Sequence, residues 1–216
     1  MKILKKLLGK LIRILYRFVY RFIPCQEKTI LFISFHGRGY SDNPMAIHQY
    51  LSKHSQYADY RCIYAIKNHK QKKLKIENAR IIEYFSIAYF FYLARSKYWI
   101  ANCKLPKYVL KKDSQVYLQT WHGTPLKKLA HDIEVPEGTT FYRSEMSVEE
   151  MRSTYDNDVS KYNYMISPSA FTTEVFQSAF AIERERLIET GYPRNDILSN
   201  YNSDDIKKIK DKLNLP

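Results

Sequence analysis

The chain has 216 residues, with 35 Lys and Arg against 22 Asp and Glu, giving a formal net charge of +13. Apolar residues at 45% and charged residues at 26% are ordinary globular proportions, so a mainly disordered chain is excluded. The length suits one full domain or one and a half.

Positive charge is concentrated at the start. Residues 1–24 hold Lys2, Lys5, Lys6, Lys10, Arg13, Arg17 and Arg21 and no acid, seven of the thirteen net charges. Lys2, Lys6, Lys10, Arg13, Arg17 and Arg21 recur every three or four residues along one helical face, and Leu4, Leu7, Leu8, Leu11, Ile12, Leu15, Phe18, Val19 and Phe22 line the other. A cation breaks every short apolar run, which excludes a signal peptide, and seven cations exclude a spanning helix. Three readings stay open. The helix lies in the headgroup plane of an anionic membrane, each cation contributing roughly 1 kcal/mol. Alternatively, it packs its stripe on the domain, or it contacts nucleic acid. The membrane surface ranks first, because an acid-free helix with so wide a leucine and aromatic stripe is unusual in a core.

From Lys28 onward, β-rich runs alternate with helical stretches. The pattern predicts a strand over 28–35, then a helix from an Asn43-Pro44 cap to about His54. A strand over 59–66, a solvated basic loop (Lys67, Lys70, Lys72, Lys73, Lys75), a strand over 79–84, a helix over 85–95 and a strand over 97–102 follow. The apolar run 84–94 is too short to span a membrane. A strand over 114–120 leads into Trp121-His122-Gly123-Thr124-Pro125, with a helix expected from about Pro125. Ser147-Val148-Glu149-Glu150 has capping-box spacing and opens a further helix. A strand over 162–167, a helix through Phe180, a strand over 186–190 and a capped, charged helix over 203–216 complete the chain. This alternation implies an α/β fold with a doubly wound, mostly parallel sheet. Residues 1–24 are read as the amphipathic helix, 25–198 as the α/β domain, and 199–216 as a connector and first helix of a second domain.

Three widely spaced cysteines, Cys25, Cys62 and Cys103, with no CxxC or Cys/His ligand spacing, argue against a disulfide scaffold or zinc site; no metal or cofactor is expected. P-loop, HExxH, GxSxG and GxGxxG patterns are absent. In an open α/β sheet, ligands gather beyond the carboxyl ends of the strands. Two loops stand out there: 34–43, with His36 and Asn43, and 121–124. His122 sits between an aromatic residue and Gly123, which permits close approach of another group, and Thr124 is placed to cap the helix expected after it. A neutral imidazole here can take a proton from an alcohol, and a turn histidine bonded to backbone is the plainer reading. His48, His54 and His69 read as structural or solvent-facing, and His131 as solvent-facing.

The run Leu118-Gln119-Thr120-Trp121-His122-Gly123-Thr124-Pro125-Leu126-Lys127-Lys128-Leu129 closely resembles the signature of the CDP-glycerol glycerophosphotransferases, which prime and extend teichoic acids. Three further runs match in order: 41–44, 96–102, and 166–169 leading to 189–196. The resemblance implies the amino-terminal Rossmann-like, acceptor-side domain of a GT-B fold, attached to the cytoplasmic face of the cell membrane. It implies transfer of glycerol phosphate from CDP-glycerol to a lipid-linked polyol-phosphate acceptor. His122 would be the base, with His36, Asn43, Trp121, Gly123 and Thr124 lining the cleft. Lys127 would hold an acceptor phosphate together with Lys128, and Arg194 would touch a phosphate or form a hinge salt bridge. In this family the donor-binding half follows the matched part, so the 216 residues alone are expected to be inactive. A non-catalytic membrane-surface module is the alternative. Outside the first helix no aromatic-basic reader motif occurs, so nucleic acid is not an expected partner.

Overall fold

The computed structural model of the protein describes residues 2–71, 73–134, 136 and 146–216; for residues 2–9 and 12 it describes the backbone alone. The side chains of Lys2, Lys5, Lys6, Leu4, Leu7, Leu8 and Ile12, and Lys72 as a whole, lie outside the described residues.

Seven strands are present among the described residues: β1 (Gln26–Ile33), β2 (Arg61–Ile66), β3 (Ala79–Glu83), β4 (Ser96–Ala101), β5 (Val116–Gln119), β6 (Tyr164–Ser167) and β7 (Leu187–Glu189). The helices are α1 (Lys2–Val19), α2 (Asp42–Lys53), α3 (Ile87–Arg95), α4 (Val148–Val159), α5 (Ala170–Phe180) and α6 (Ser203–Leu213). All strands pair in parallel, in the order β3-β2-β1-β4-β5-β6-β7. The α/β, Rossmann-like reading is therefore borne out.

Both faces of the sheet are covered, so central strands are apolar throughout rather than alternating with polar residues. Along β1, Leu31 and Ile33 join one core with Tyr89, Trp99, Tyr117, Met165, Phe176 and Phe180, while Ile30 and Phe32 join the other with Tyr64 and Ile66, against Ile47 and Leu51 of α2. Chain order reverses between β1 and β4, which lie side by side. A doubly wound sheet opens a crevice at such a switch point, outside the strand carboxyl ends.

Local differences from the sequence-based expectations have local causes. β1 ends at Ile33 because Phe35 and His36 take left-handed backbone angles (φ 44° and 55°), and the Ser34 hydroxyl donates to the Ser41 carbonyl at 2.9 Å. The cap of α2 is Ser41, not Asn43, whose side chain is fully buried. α4 opens with the expected capping box at Ser147 and Glu150. No helix starts at Pro125. Leu126 there is 95% exposed and Lys127 and Lys128 are exposed, so the segment has no continuous apolar face to bury; the chain makes only a 3-10 turn at Ala130–Asp132. Thr124 consequently caps no helix.

Helix α1 meets the domain through Tyr16, whose ring lies 5.1 Å from Phe90 and whose hydroxyl donates to the Leu110 carbonyl at 2.8 Å. Leu11, Leu15, Phe18 and Phe22 are 52%, 52%, 70% and 84% exposed, so these residues of the apolar stripe point away from the core. Lys10, Arg17 and Arg21 are exposed, and Arg13 lies over the Tyr108 ring. No described helix is long and apolar enough to cross a membrane.

Candidate active site

The crevice at the switch point is built from the segments after β1, β4 and β5, the start of α2, and the stretch 192–194. Two buried asparagines and the half-buried Arg194 hold them together. Asn102, at the end of β4, accepts the Phe35 N–H at 2.8 Å and donates to the Asp42 carboxylate at 2.5 Å. Asn43 donates to the carbonyls of Thr120 and Trp121 at 3.2 and 3.1 Å, and its amide oxygen accepts the Arg194 N–H at 3.2 Å. Arg194 Nη1 donates to the Asp42 carboxylate and, at 2.9 Å, to the His122 carbonyl.

His122 follows Trp121, which takes a left-handed φ of 51°. The Trp121 ring is buried against Phe176 and Phe180, and the imidazole stacks on it with centroids 4.5 Å apart and planes 28° apart. Phe35 meets the imidazole edge-on at 5.9 Å. His122 Nδ1 lies 2.6 Å from the Asn102 carbonyl oxygen. A carbonyl oxygen only accepts, so Nδ1 carries the hydrogen, and in the neutral ring Nε2 keeps its lone pair. The residue is exposed, and a Cβ placed on Gly123 would meet nothing within 4 Å, so the backbone beside His122 faces open space. The arrangement is that of an oriented imidazole with a free basic nitrogen at a cleft.

His36 lies in the neighbouring loop, half-buried, with its pKa lowered by burial and then by the charges of Lys67 and Arg38; His122 also acts on it electrostatically. Gly37 (φ 81°) is required there, because a Cβ would fall 2.8 Å from Tyr84. The Cys103 sulfur lies 3.9 Å from His122 Nδ1, and burial raises its thiol to about 11, so it stays protonated at neutral pH.

His36, Asn43, Trp121, His122, Gly123 and Arg194 thus come together around one crevice. Arg194 forms an ion pair with Asp42 whose carboxylate is 7% exposed. Lys127 and Lys128 instead line a hollow of about 420 Å³ with Phe171 and Val175, and Lys128 pairs with Glu134. His131 is not simply solvent-facing: its Nε2 lies 2.6 Å from Asp156 Oδ1, with the side chain 30% exposed. His48 is buried between the Tyr40 hydroxyl (2.9 Å) and Ser52 Oγ (3.3 Å). Sequence reasoning assigned no role to Asp42 or Asn102, although both lie inside the matched runs. Their signal is a polar residue just past an apolar strand or at a helix start, which spacing alone does not separate from a loop residue.

The family model described as CDP-Glycerol:Poly(glycerophosphate) glycerophosphotransferase matches residues 14–216. The chain is 39% identical over 193 residues to a teichoic acid poly(glycerol phosphate) polymerase of Staphylococcus epidermidis, covering 88% of this chain and 25% of the relative. It is 38% identical over 197 residues to the polymerase of that name from Bacillus spizizenii, covering 89% of this chain and 48% of the relative. Among solved structures, it resembles the wall teichoic acid polymerase TagF with a TM-score of 0.86 at 36% identity, covering 95% of this chain and 48% of that one. A histidine variant of TagF soaked with CDPG gives the same score and identity, covering 95% of this chain and 49% of that one. The chain therefore spans a quarter to about half of the length of the proteins it matches. Matched over almost its whole length, it belongs to the CDP-glycerol:poly(glycerophosphate) glycerophosphotransferase family.

Proposed function

We propose that residues 25–198 are the acceptor-side domain of a GT-B glycerophosphotransferase acting in teichoic acid synthesis, and that His122 is its general base. The reading is carried by one contact: the Nδ1–H bond to the Asn102 carbonyl, which leaves Nε2 of an exposed imidazole free to accept a proton. In the proposed step, the terminal hydroxyl of a polyol-phosphate acceptor gives its proton to Nε2. Its oxygen bonds to the glycerol-bearing phosphorus of CDP-glycerol, and the bridging P–O bond breaks to release CMP. Positioning and charge stabilisation supply most of such a displacement. His36 and the Gly123 backbone line the acceptor path. Arg194 holds the His122 loop by its bond to the His122 carbonyl and is anchored by Asp42, rather than binding a phosphate.

Residues 1–216 span about half of the Bacillus spizizenii relative, and the cytidine diphosphate is expected to take partners from the other half, so residues 1–216 alone are expected to be inactive. The test is CMP release from CDP-glycerol with a lipid-linked acceptor. The 216 residues alone are expected to release none; joined to the remaining length of the Bacillus spizizenii relative, they are expected to release CMP. Release by the 216 residues alone contradicts the division of labour.

We further propose that helix α1 docks this domain peripherally on the cytoplasmic face of the membrane. What supports this is the outward stripe of Leu11, Leu15, Phe18 and Phe22, flanked by Lys10, Arg17 and Arg21. Ile87 and Phe91 of α3, 77% and 39% exposed, line an apolar hollow with Leu15 and Val19 and widen the same surface. The acceptor is then a lipid-linked chain reaching the crevice from that surface.

A further inference from the structure

His36 also lines a cleft of about 800 Å³ whose other walls take no part in the step above. One wall is the segment after β4, with Lys104, Leu105, Pro106 and Lys107; the other is α4, with Met151 and Tyr155. Lys104 Nζ donates to Thr154 Oγ1 at 2.9 Å and lies 3.2 Å from the centre of the Tyr155 ring. Lys107 Nζ donates to Ser153 Oγ at 3.2 Å. Among the described residues, neither ammonium forms an ion pair with a carboxylate. Glu150, at the cleft, is committed to the capping box of α4, accepting the Ser147 N–H at 3.0 Å. Asp158 acts on Lys104 from the interior, where its carboxylate accepts the Tyr162 hydroxyl at 2.6 Å. Burial lowers Lys104 to about 8.

Lys104, with a hydroxyl and a ring as direct partners and Asp158 acting only from a distance, lacks the paired carboxylate that usually accompanies burial of a cation. Half-buried Lys104 and exposed Lys107 on one wall, with the apolar Leu105 and Pro106 between them, fit an anion carried on a short carbon backbone. Lysine binds phosphate oxygens as a point charge, without demanding one geometry. His36 joins this cleft to the crevice of His122.

We propose that the cleft is a phosphodiester subsite, in which Lys104 and Lys107 hold an internal phosphodiester of a polyol-phosphate chain whose terminal hydroxyl lies at His122. This rests on the acceptor-side reading above and names residues that fix the chain's register. The glycerol carbons pass over Leu105 and Pro106, and Tyr155 closes the opposite wall. Lys104 and Lys107 act as positioning residues, since neither touches the reacting atoms.

The test titrates glycerophosphoglycerol, a soluble glycerol phosphodiester, into the 216-residue chain, read by calorimetry and by NMR of the Met151 methyl and the His122 ring. Saturable shifts are expected at both. Lys104→Met and Lys107→Met are each expected to weaken binding roughly tenfold or more, and Lys104→Arg to recover most of it. Lys127→Met, in the separate hollow, is expected to stay within about twofold. Unchanged affinity in both lysine-to-methionine variants, with the His122 shift kept, overturns the subsite and spares the acceptor-side reading. No shift at either residue overturns both. Inorganic phosphate binding as tightly as the diester overturns a polyol-chain subsite in favour of a simple anion contact. Vesicles of phosphatidylglycerol and phosphatidylcholine separate a lipid headgroup from a soluble chain: Lys104→Met is expected to leave their sedimentation unchanged. Loss of vesicle binding with diester affinity retained overturns the proposal.

Discussion

Arg194 Nη1 reaches across the crevice to the Asp42 carboxylate and to the backbone oxygen of His122, 72 residues away in sequence. The stretch after β7 therefore fixes the loop that carries the proposed base. Asp42 also accepts from Asn102, whose backbone carbonyl sets the His122 tautomer. One ion pair thus positions the imidazole through both its own backbone and its hydrogen-bond partner.

Breaking that pair is expected to be costly. Arg194→Ala leaves the Asp42 carboxylate, 7% exposed, short of its cation, and is expected to cost about 3 kcal/mol in urea unfolding. Asp42→Asn with Arg194→Ala is expected to recover part of this, because the uncompensated buried charge is gone.

The tautomer is directly measurable. Nitrogen NMR of His122 at neutral pH is expected to place the hydrogen on Nδ1, bonded to the Asn102 carbonyl at 2.6 Å. Asn102→Ala keeps the backbone carbonyl, so it is expected to leave that preference in place and to cost about 2 kcal/mol, since it strands the Phe35 N–H. A hydrogen found on Nε2 contradicts the orientation.

Much of this was legible in the sequence, and the exceptions have physical causes. β-rich runs and the Ser147 capping box predicted strands and α4 because burial and capping are local signals there. The helix expected at Pro125 did not form, because its periodic positions include Leu126, which finds nothing to pack on. His36, Asn43, Trp121, His122 and Arg194 were picked out in sequence and do meet at one crevice. Lys127 did not join them. Asp42, Asn102 and Lys104 were missed because their roles depend on side-chain contacts across 50 to 152 residues.

Asp158 provides a pH test. Its carboxyl is buried and raised to about 6, chiefly by desolvation, from an ordinary value near 3.8. The folded state therefore binds the proton more tightly than the unfolded state, so this group's contribution to stability falls as pH rises from about 4 to about 6. Asp158→Asn removes that dependence. Relative to the parent, the variant is expected to gain up to about 3 kcal/mol between acid and neutral pH in urea unfolding. A gap that stays constant with pH contradicts the buried carboxyl's shift.

The outward stripe of α1 is expected to govern membrane binding. Phe18→Glu with Phe22→Glu, at positions 70% and 84% exposed, is expected to abolish sedimentation with anionic vesicles and leave thermal unfolding unchanged. Tyr16→Ala is expected instead to cost about 3 kcal/mol of stability, because that ring is in the core.

The most direct measurement is CMP release by residues 1–216 joined to the remaining length of the Bacillus spizizenii relative, with His122 intact and as His122→Asn. Loss of about a hundredfold to ten-thousandfold in turnover, with the fold retained by circular dichroism, is the predicted result. Turnover of the asparagine variant within about twofold of the parent would contradict His122 as the base.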